Sequence, residues 1–285
     1  MKFSGVLVNY DSWPYTLRCI DSLYRTGYED FEVVVVDNDR GTVPEIPSLV
    51  HLIRNPQNVG FGRACNQGIS ASSGEYVMLI NPDTVVEEGF FESLEKFFGE
   101  NPRAGVAGPR IVDGEGNLQL SARKELGFVS GLLGRTSLLT RLFPKSPLVR
   151  RLFPAAEKLT SSTRVDWVSG ACMIVRRRAI QEIGPMDERF FMYFEDADLC
   201  RRAREAGWSV YYLPQIEVLH YTGASSRSHP RERLKAIWNL HKSAFLYHRK
   251  HGPHGPLHLY SLLIASGLCV RAFARLMALL MGRSK

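Results

Sequence analysis

The sequence predicts an α/β fold around a mostly parallel sheet, and three observations carry that prediction. Strand and helix patterns alternate through the first 115 residues, and repeated β-α-β units imply parallel strands joined by right-handed crossovers. Phe31-Glu-Val-Val-Val-Val-Asp-Asn38 is a β-branched run of the kind found in strands covered on both faces. At 285 residues and 45% hydrophobic composition, the chain is long and apolar enough for a sizeable core, which excludes a disordered or collagen-like protein.

Val6–Val8 begins the first strand. Pro14 lies early in a helix whose Leu17, Ile20, Leu23 and Tyr24 share one face. The Val33–Val36 run forms the second strand, Val50–Ile53 a short third, and Ala64–Ala71 a helix. Tyr76–Ile80 is a fourth strand ending in Asn81-Pro82-Asp83, and Phe90–Phe98 is an amphipathic helix closed by Gly99 and Pro102. Leu126–Ser162 interrupts this rhythm: Leu-Phe-Pro occurs twice (142–144 and 152–154) among arginines, which predicts an irregular or short-helix excursion. Beyond it, Asp166–Val175 reads as a strand, Asp196–Ala206 as a helix stopped by Gly207, and Trp208–Leu213 as a strand. A helix over about 231–249, the hinge His-Gly-Pro-His-Gly-Pro and a C-terminal helix follow.

The net charge of +7 hides an asymmetry. Residues 121–164 carry 9 basic and 2 acidic side chains and 227–285 carry 11 and 1, which leaves 16 and 26 elsewhere. An acidic body with two basic segments points to an anionic surface, nucleic acid or membrane. Cys19, Cys65, Cys172, Cys200 and Cys269 are dispersed, with no C-x-x-C, which predicts buried thiols in a reducing compartment. The N-terminal apolar run is too short for a signal peptide. The run 257–270, uncharged apart from its histidine, falls short of the roughly 20 residues that span a bilayer. Its continuation sets Arg271 and Arg275 one turn apart near Phe273, Leu276 and Leu279, a composition that suits either a membrane-interface helix or one docked on the domain.

Ligands of an open parallel sheet sit beyond the carboxyl ends of its strands. Asp37 stands there, able to accept a hydrogen bond from a base or ribose or to fix an Asx turn. Asp83 can coordinate Mg²⁺ or Mn²⁺, or cap the following helix. Asn58-Val-Gly-Phe-Gly-Arg-Ala-Cys-Asn-Gln-Gly68 places two glycines before a helix, so backbone can approach a ligand. It is neither G-x-G-x-x-G nor a P-loop, which removes the main support for kinase, NTPase and dehydrogenase readings. In Met186-Asp-Glu-Arg-Phe-Phe-Met-Tyr-Phe-Glu-Asp-Ala-Asp198, Glu195 or Asp196 suits a general base among aromatics. Asp198 faces the other way and can pair with Arg202 one turn later. His220 can be a metal ligand or a hydrogen-bonding group.

Taken in order, Val-Leu-Val-Asn-Tyr10, Val-Val-Val-Val-Asp-Asn38, the 58–69 segment, Leu-Ile-Asn-Pro-Asp83, Val168-Ser-Gly-Ala-Cys-Met-Ile-Val-Arg-Arg177, the 186–208 segment and Leu-His-Tyr-Thr-Gly-Ala-Ser-Ser226 resemble a family 2 glycosyltransferase of GT-A fold. The likeness is to the rhamnosyltransferase-like members that build bacterial surface polysaccharides. It implies a GT-A catalytic domain over 1–226, with the excursion at about 126–162, while charge and amphipathic composition predict a basic, membrane-associated helical extension over 227–285. The implied activity is inverting transfer of a sugar, rhamnose among the candidates, from a nucleoside-diphosphate sugar to a lipid-linked glycan hydroxyl.

Residue by residue, the resemblance gives Asp196 the role of catalytic base. Asn9, Asp37, Asn38, Asn58, Gly60, Arg63 and Asn81 fall to the nucleotide sugar, and Trp167, Gly170 and Glu195 to the acceptor side. Asp83 and His220 fall to a Mg²⁺ or Mn²⁺ ion. Asp83 matches the last acid of the D-x-D motif, which reads Asn81-Pro82-Asp83 here, so the donor diphosphate has to complete the ion's shell. The resemblance places the chain in the cytoplasm, peripheral on the inner face of the membrane, with no nucleic-acid partner. A sugar nucleotidyltransferase is the alternative, but the loop after the first strand, Asn-Tyr-Asp-Ser-Trp-Pro, lacks the Gly-rich basic character of that class. A non-catalytic nucleic-acid binder fits less well, because the basic residues interleave with Leu-rich runs.

Overall fold

The computed structural model describes residues 1–119, 121–123, 159–221, 230–252 and the single positions 266 and 269. Most of the Leu126–Ser162 excursion and most of the C-terminal helix lie outside these residues. The described elements are β1 (Phe3–Asn9), α1 (Trp13–Arg25), β2 (Phe31–Asp37), β3 (Val50–Arg54), α2 (Phe61–Ser70), β4 (Tyr76–Ile80), β5 (Thr84–Val86), α3 (Phe90–Glu100), β6 (Ala104–Val112), β7 (Leu118–Gln119), β8 (Ala122–Arg123), β9 (Thr163–Val165), β10 (Trp167–Val168), β11 (Cys172–Arg176), α4 (Arg177–Ile183), α5 (Glu195–Glu205), β12 (Ser209–His220) and α6 (Pro230–His251).

The main sheet runs β3-β2-β1-β4-β11-β6-β12-β5. The first four strands are parallel, β11 is antiparallel to both neighbours, β12 is parallel to β6, and β5 is antiparallel to β12. Strand alternation explains the Val33–Val36 run. Val33 and Val35 join a core layer with Ile20, Leu23, Phe91, Leu94 and Phe98 of α1 and α3. Val34 and Val36 join the opposite layer with Ala64 and Cys65 of α2 and Leu199, Cys200 and Ala203 of α5. Four of the five cysteines are free and buried, and Cys269 is free and exposed.

Two differences from the sequence expectation have clear causes. Asp166–Val175 is two short strands, because the chain turns at Ser169–Gly170 between β10 and β11. β6 was missed because its two glycines and proline read as loop. A Cβ at Gly108 would lie 2.7 Å from Val168, and one at Gly105 would lie 2.6 Å from Trp208 Cβ, so packing demands glycine at both. Pro109 pairs with Leu213, where the β12 register shifts past Pro214, and β12 then runs on to His220.

The topology gathers chemistry at one sheet edge. β1, β2 and β4 end there at Asn9, Asp37 and Ile80, and antiparallel β11 starts there, Cys172 facing Ile80. β12 ends beside Thr84 with His220.

Candidate active site

At the β1–β2 end, Asp37 is fully buried. Its Oδ1 accepts Asn9 Nδ2 at 2.8 Å and the Asp39 N–H at 3.2 Å, and its Oδ2 accepts Arg54 Nε at 3.3 Å. The Asx turn is therefore formed. Asn9 is committed inward, since its Oδ1 also accepts the hydroxyls of Ser12 and Thr16 at 3.0 and 2.7 Å. Asn38 Oδ1 accepts Asn55 Nδ2 at 2.7 Å, and its own amide reaches Asn58 Oδ1 and the Gly60 carbonyl, both at 3.4 Å. Asn55 in turn exchanges two 2.8 Å hydrogen bonds with Gln67. Arg54, Asn55 and Gln67 were missed; the strand-end rule applied to β3 finds the first two.

Gly60 is required by a close contact within the chain. It sits at φ +91, and a Cβ there would lie 2.7 Å from the Phe191 carbonyl, which accepts the Phe61 N–H at 2.7 Å. The start of α2 is thus covered by the segment leading to α5. Arg63 points outward, its Nε 3.8 Å from Glu188; the structure does not draw it into the Asp37–Asn38 network.

Asp83 and His220 meet, with Oδ1 and Nε2 3.1 Å apart. Gln119, which has no sequence signature, sets the ring. Its amide nitrogen donates to the His220 carbonyl at 2.9 Å, so its oxygen must face His220 Nδ1, 2.8 Å away. Nδ1 is therefore the protonated donor, and Nε2 faces Asp83 with Asn81 Nδ2 at 3.4 Å. A lone pair opposite a carboxylate oxygen requires a proton or a cation between them. A carboxylate oxygen and an imidazole nitrogen 3.1 Å apart suit neighbouring ligands of one divalent ion. Among the described residues no group of three or more His, Cys, Asp and Glu side chains that could hold a metal occurs.

Asp196 lies in the first turn of α5. Its Oδ2 accepts the Gly170 N–H at 2.9 Å and its Oδ1 the Ala197 N–H at 2.8 Å. Burial pushes its carboxyl pKa up, against the pull of those N–H groups and of the Arg123 charge. Arg123, unforeseen from sequence, lies 4.5 Å over the ring of Trp167, its partner across the β8–β10 ribbon. Glu195 turns inward: it is 5% exposed, its Oε2 has no hydrogen-bond partner, and burial with the adjacent Asp196 charge pushes it well above the carboxylate range. The two adjacent carboxyls are coupled, and burial pushes both upward, Glu195 well above the ordinary range. Asn81 N–H donates to the Ala171 carbonyl at 2.9 Å, one residue on from Gly170, whose N–H holds Asp196. The Asp83–His220 pair and the Asp196 carboxylate are thereby held to one short stretch of backbone.

Backbone strain sets the approach to α5. Tyr193 and Phe194 adopt φ +72 and +69, rare for bulky residues and costing about 1–2 kcal/mol each. α6 holds them. Ser243 Oγ donates to the Met192 carbonyl at 2.9 Å, Tyr247 packs on Phe194 with ring centres 5.5 Å apart, and Asp198 binds Lys250 and His251. Asp198 also takes Arg202 Nε at 2.8 Å, the pair expected from their spacing.

Comparison with known proteins places this arrangement. The chain is 33% identical over 260 residues to N-acetylglucosaminyl-diphospho-decaprenol L-rhamnosyltransferase of Mycobacterium tuberculosis, covering 85% of this chain and 82% of that protein. It is 37% identical over 91 residues to Rhamnosyltransferase WbbL of Escherichia coli, about a third of either chain (32% and 33%). A mannosyltransferase from Pyrobaculum calidifontis, solved with GDP-Man and Mn2+, superposes with a TM-score of 0.57 at 16% identity over 97% of this chain and 75% of that one, which shows the GT-A fold. The family model Glycosyl transferase family 2 matches residues 4–184 and Glycosyl transferase family group 2 matches 150–282. The chain belongs to glycosyltransferase family 2 and is a glycosyltransferase of GT-A fold.

Proposed function

We propose that this enzyme moves rhamnose or a related hexose, with inversion, from a nucleoside-diphosphate sugar to a hydroxyl of a lipid-linked glycan during surface-polysaccharide synthesis. It would work in the cytoplasm, peripheral on the inner face of the membrane, with no nucleic-acid partner. The observation that carries the reading is the Asp196 carboxylate, fixed by two backbone N–H groups and joined through the Gly170–Ala171 peptide to the strand end that bears Asp83. The likeness to the mycobacterial rhamnosyltransferase supports the sugar and the lipid carrier.

In this reading the acceptor oxygen attacks the anomeric carbon as the bond to the nucleoside diphosphate breaks. Asp196 takes the hydroxyl proton, and burial that raises its basicity favours the transfer. Its N–H partners fix the direction of its free lone pairs. Asp37 and Asn38, braced by Asn9, Arg54 and Asn55, face the nucleoside, with Asn58 beside Asn38 and Asn81 beside His220. Trp167 and Gly170 border the acceptor. Asp83 and His220 would hold Mg²⁺ or Mn²⁺, which when bound supplies positive charge for the departing diphosphate.

The test is transfer from dTDP-, UDP- and GDP-sugars to a polyprenyl-diphosphate-linked acceptor in the presence of Mg²⁺ or Mn²⁺. Asp196→Asn should keep donor binding in a thermal-shift assay and lose transfer; an active Asn variant overturns the assignment. Full activity after rigorous chelation would remove the metal role from Asp83 and His220.

A further inference from the structure

α6 has two unlike faces. His241, Ser243, Ala244, Tyr247 and His248 are buried, and Lys250 and His251 anchor the last turn on Asp198. The other face carries Trp238, 70% exposed and the most exposed aromatic ring among the described residues, and Leu234, 41% exposed, one turn before it. Lys235, Lys242 and Arg249 are exposed as well. At about 100° per residue, Leu234, Trp238, Lys242, Arg249 and Lys235 fall within an arc of about 100°. Glu232 is the only acid in the sequence between 230 and 251.

We propose that this Leu234–Trp238–Lys242–Arg249 stripe is a docking face for an anionic lipid bilayer. The inference rests on the reading of a lipid-linked acceptor and names the surface that would serve it. A large indole left in water, flanked by cations and one aliphatic side chain, matches the headgroup boundary, where aromatic rings sit between apolar and wet surroundings and cations meet anionic lipid. A second copy suits the face less well, because a two-fold contact would bring its cations together. The anchorage of α6 on α5 would hold the bound domain in a fixed orientation relative to the Asp196 helix.

The test is co-sedimentation of the full chain with phosphatidylcholine vesicles, with and without phosphatidylglycerol. The wild type should bind the anionic vesicles. The L234S/W238S double variant should bind at least about tenfold more weakly, and K242Q/R249Q should lose about tenfold on anionic vesicles only. Both pairs are exposed, and unchanged melting shows that each variant is folded. With brominated lipid, wild-type tryptophan fluorescence should be quenched, whereas W238F should bind and lose most of that quenching. Wild-type-like binding by L234S/W238S overturns the surface while leaving the acceptor reading intact. A wild type that ignores vesicles yet glycosylates a short-chain acceptor overturns the docking and spares the activity. Failure on every lipid-linked acceptor counts against the activity itself. Self-association abolished by the double variant, without lipid binding, assigns the face to a second copy and overturns the inference.

Discussion

Replacing Asp198 by Asn keeps the side chain's shape and removes the charge on which Arg202, Lys250 and His251 converge. The carboxyl is fully buried, with Arg202 Nε at 2.8 Å, Lys250 Nζ at 2.6 Å and His251 Nε2 at 2.7 Å. Breaking a buried pair by removing one partner costs about 3–5 kcal/mol. Here the cations keep other acceptors: Lys250 reaches Asp187 at 2.8 Å, and Arg202 reaches the Ile183 and Pro185 carbonyls at 2.7 and 2.8 Å. We therefore expect about 3 kcal/mol, or a fall of about 6–12 °C in melting temperature. Burial pushes the Asp198 pKa up, but His251, Lys250 and Arg202 together outweigh it and leave the group below its ordinary value. The unfolded chain then binds this proton more readily, so the stabilisation is present above about pH 4 and fades as pH falls through the folded value. Scanning fluorimetry across acidic and neutral pH should show a lower wild-type melting temperature in acid and a shallower fall for the variant. A variant that melts within about 2 °C of wild type at neutral pH refutes the anchoring role of Asp198.

Gln119→Leu removes the clamp on His220 and should weaken Mn²⁺ affinity, measured by electron paramagnetic resonance with a nucleoside diphosphate present, by about 10–100-fold; unchanged affinity would show that the ring needs no orienter. Glu195→Gln mimics the protonated carboxyl and should retain transfer. Because burial raises the Glu195 pKa, the native state keeps a proton that the unfolded chain loses near pH 4.3, so this variant should lose the decline in stability that wild type shows as pH rises above about that value. A tenfold fall in kcat would instead give Glu195 a direct part in the chemistry. Gly60→Ala forces a side chain into a glycine-only conformation against the Phe191 carbonyl and should cost at least about 1–3 kcal/mol by chemical denaturation, whereas Gly116→Ala, with open space around it, serves as the strain-only control. Equal costs at the two positions would contradict the contact.

The parallel half of the sheet was legible because its strands are covered on both faces and say so in composition. Val34 and Val36 had to be apolar for one layer, and Val33 and Val35 for the other. The antiparallel half was less legible because close packing there replaced side-chain pattern with glycine. Gly105 under Trp208 and Gly108 under Val168 look like loop residues until their neighbours are known. The pairing of Asp198 with Arg202 was local and readable, whereas its grip on Lys250 and His251 depends on where α6 docks.

The same division runs through the site. Residues that carry charge announce themselves at strand ends and helix starts, as Asp37, Asp83 and Asp196 do. Residues that aim them do not, because aiming depends on register between distant strands. His220 lies 139 positions beyond Asn81 and reaches it because β12 pairs with β5. Gln119 belongs to a strand of two residues, too short for any periodicity, yet its two hydrogen bonds decide which nitrogen of His220 faces Asp83. Gly170 looks like a turn residue, but its N–H fixes the carboxylate of the candidate base, and a Cβ there would sit 3.4 Å from that of Asp196. Changing Asp83, His220 or Asp196 should therefore abolish the chemistry, while changing Gln119 or Gly170 should leave the same groups present and misdirected. That difference is measurable as metal or donor affinity against turnover.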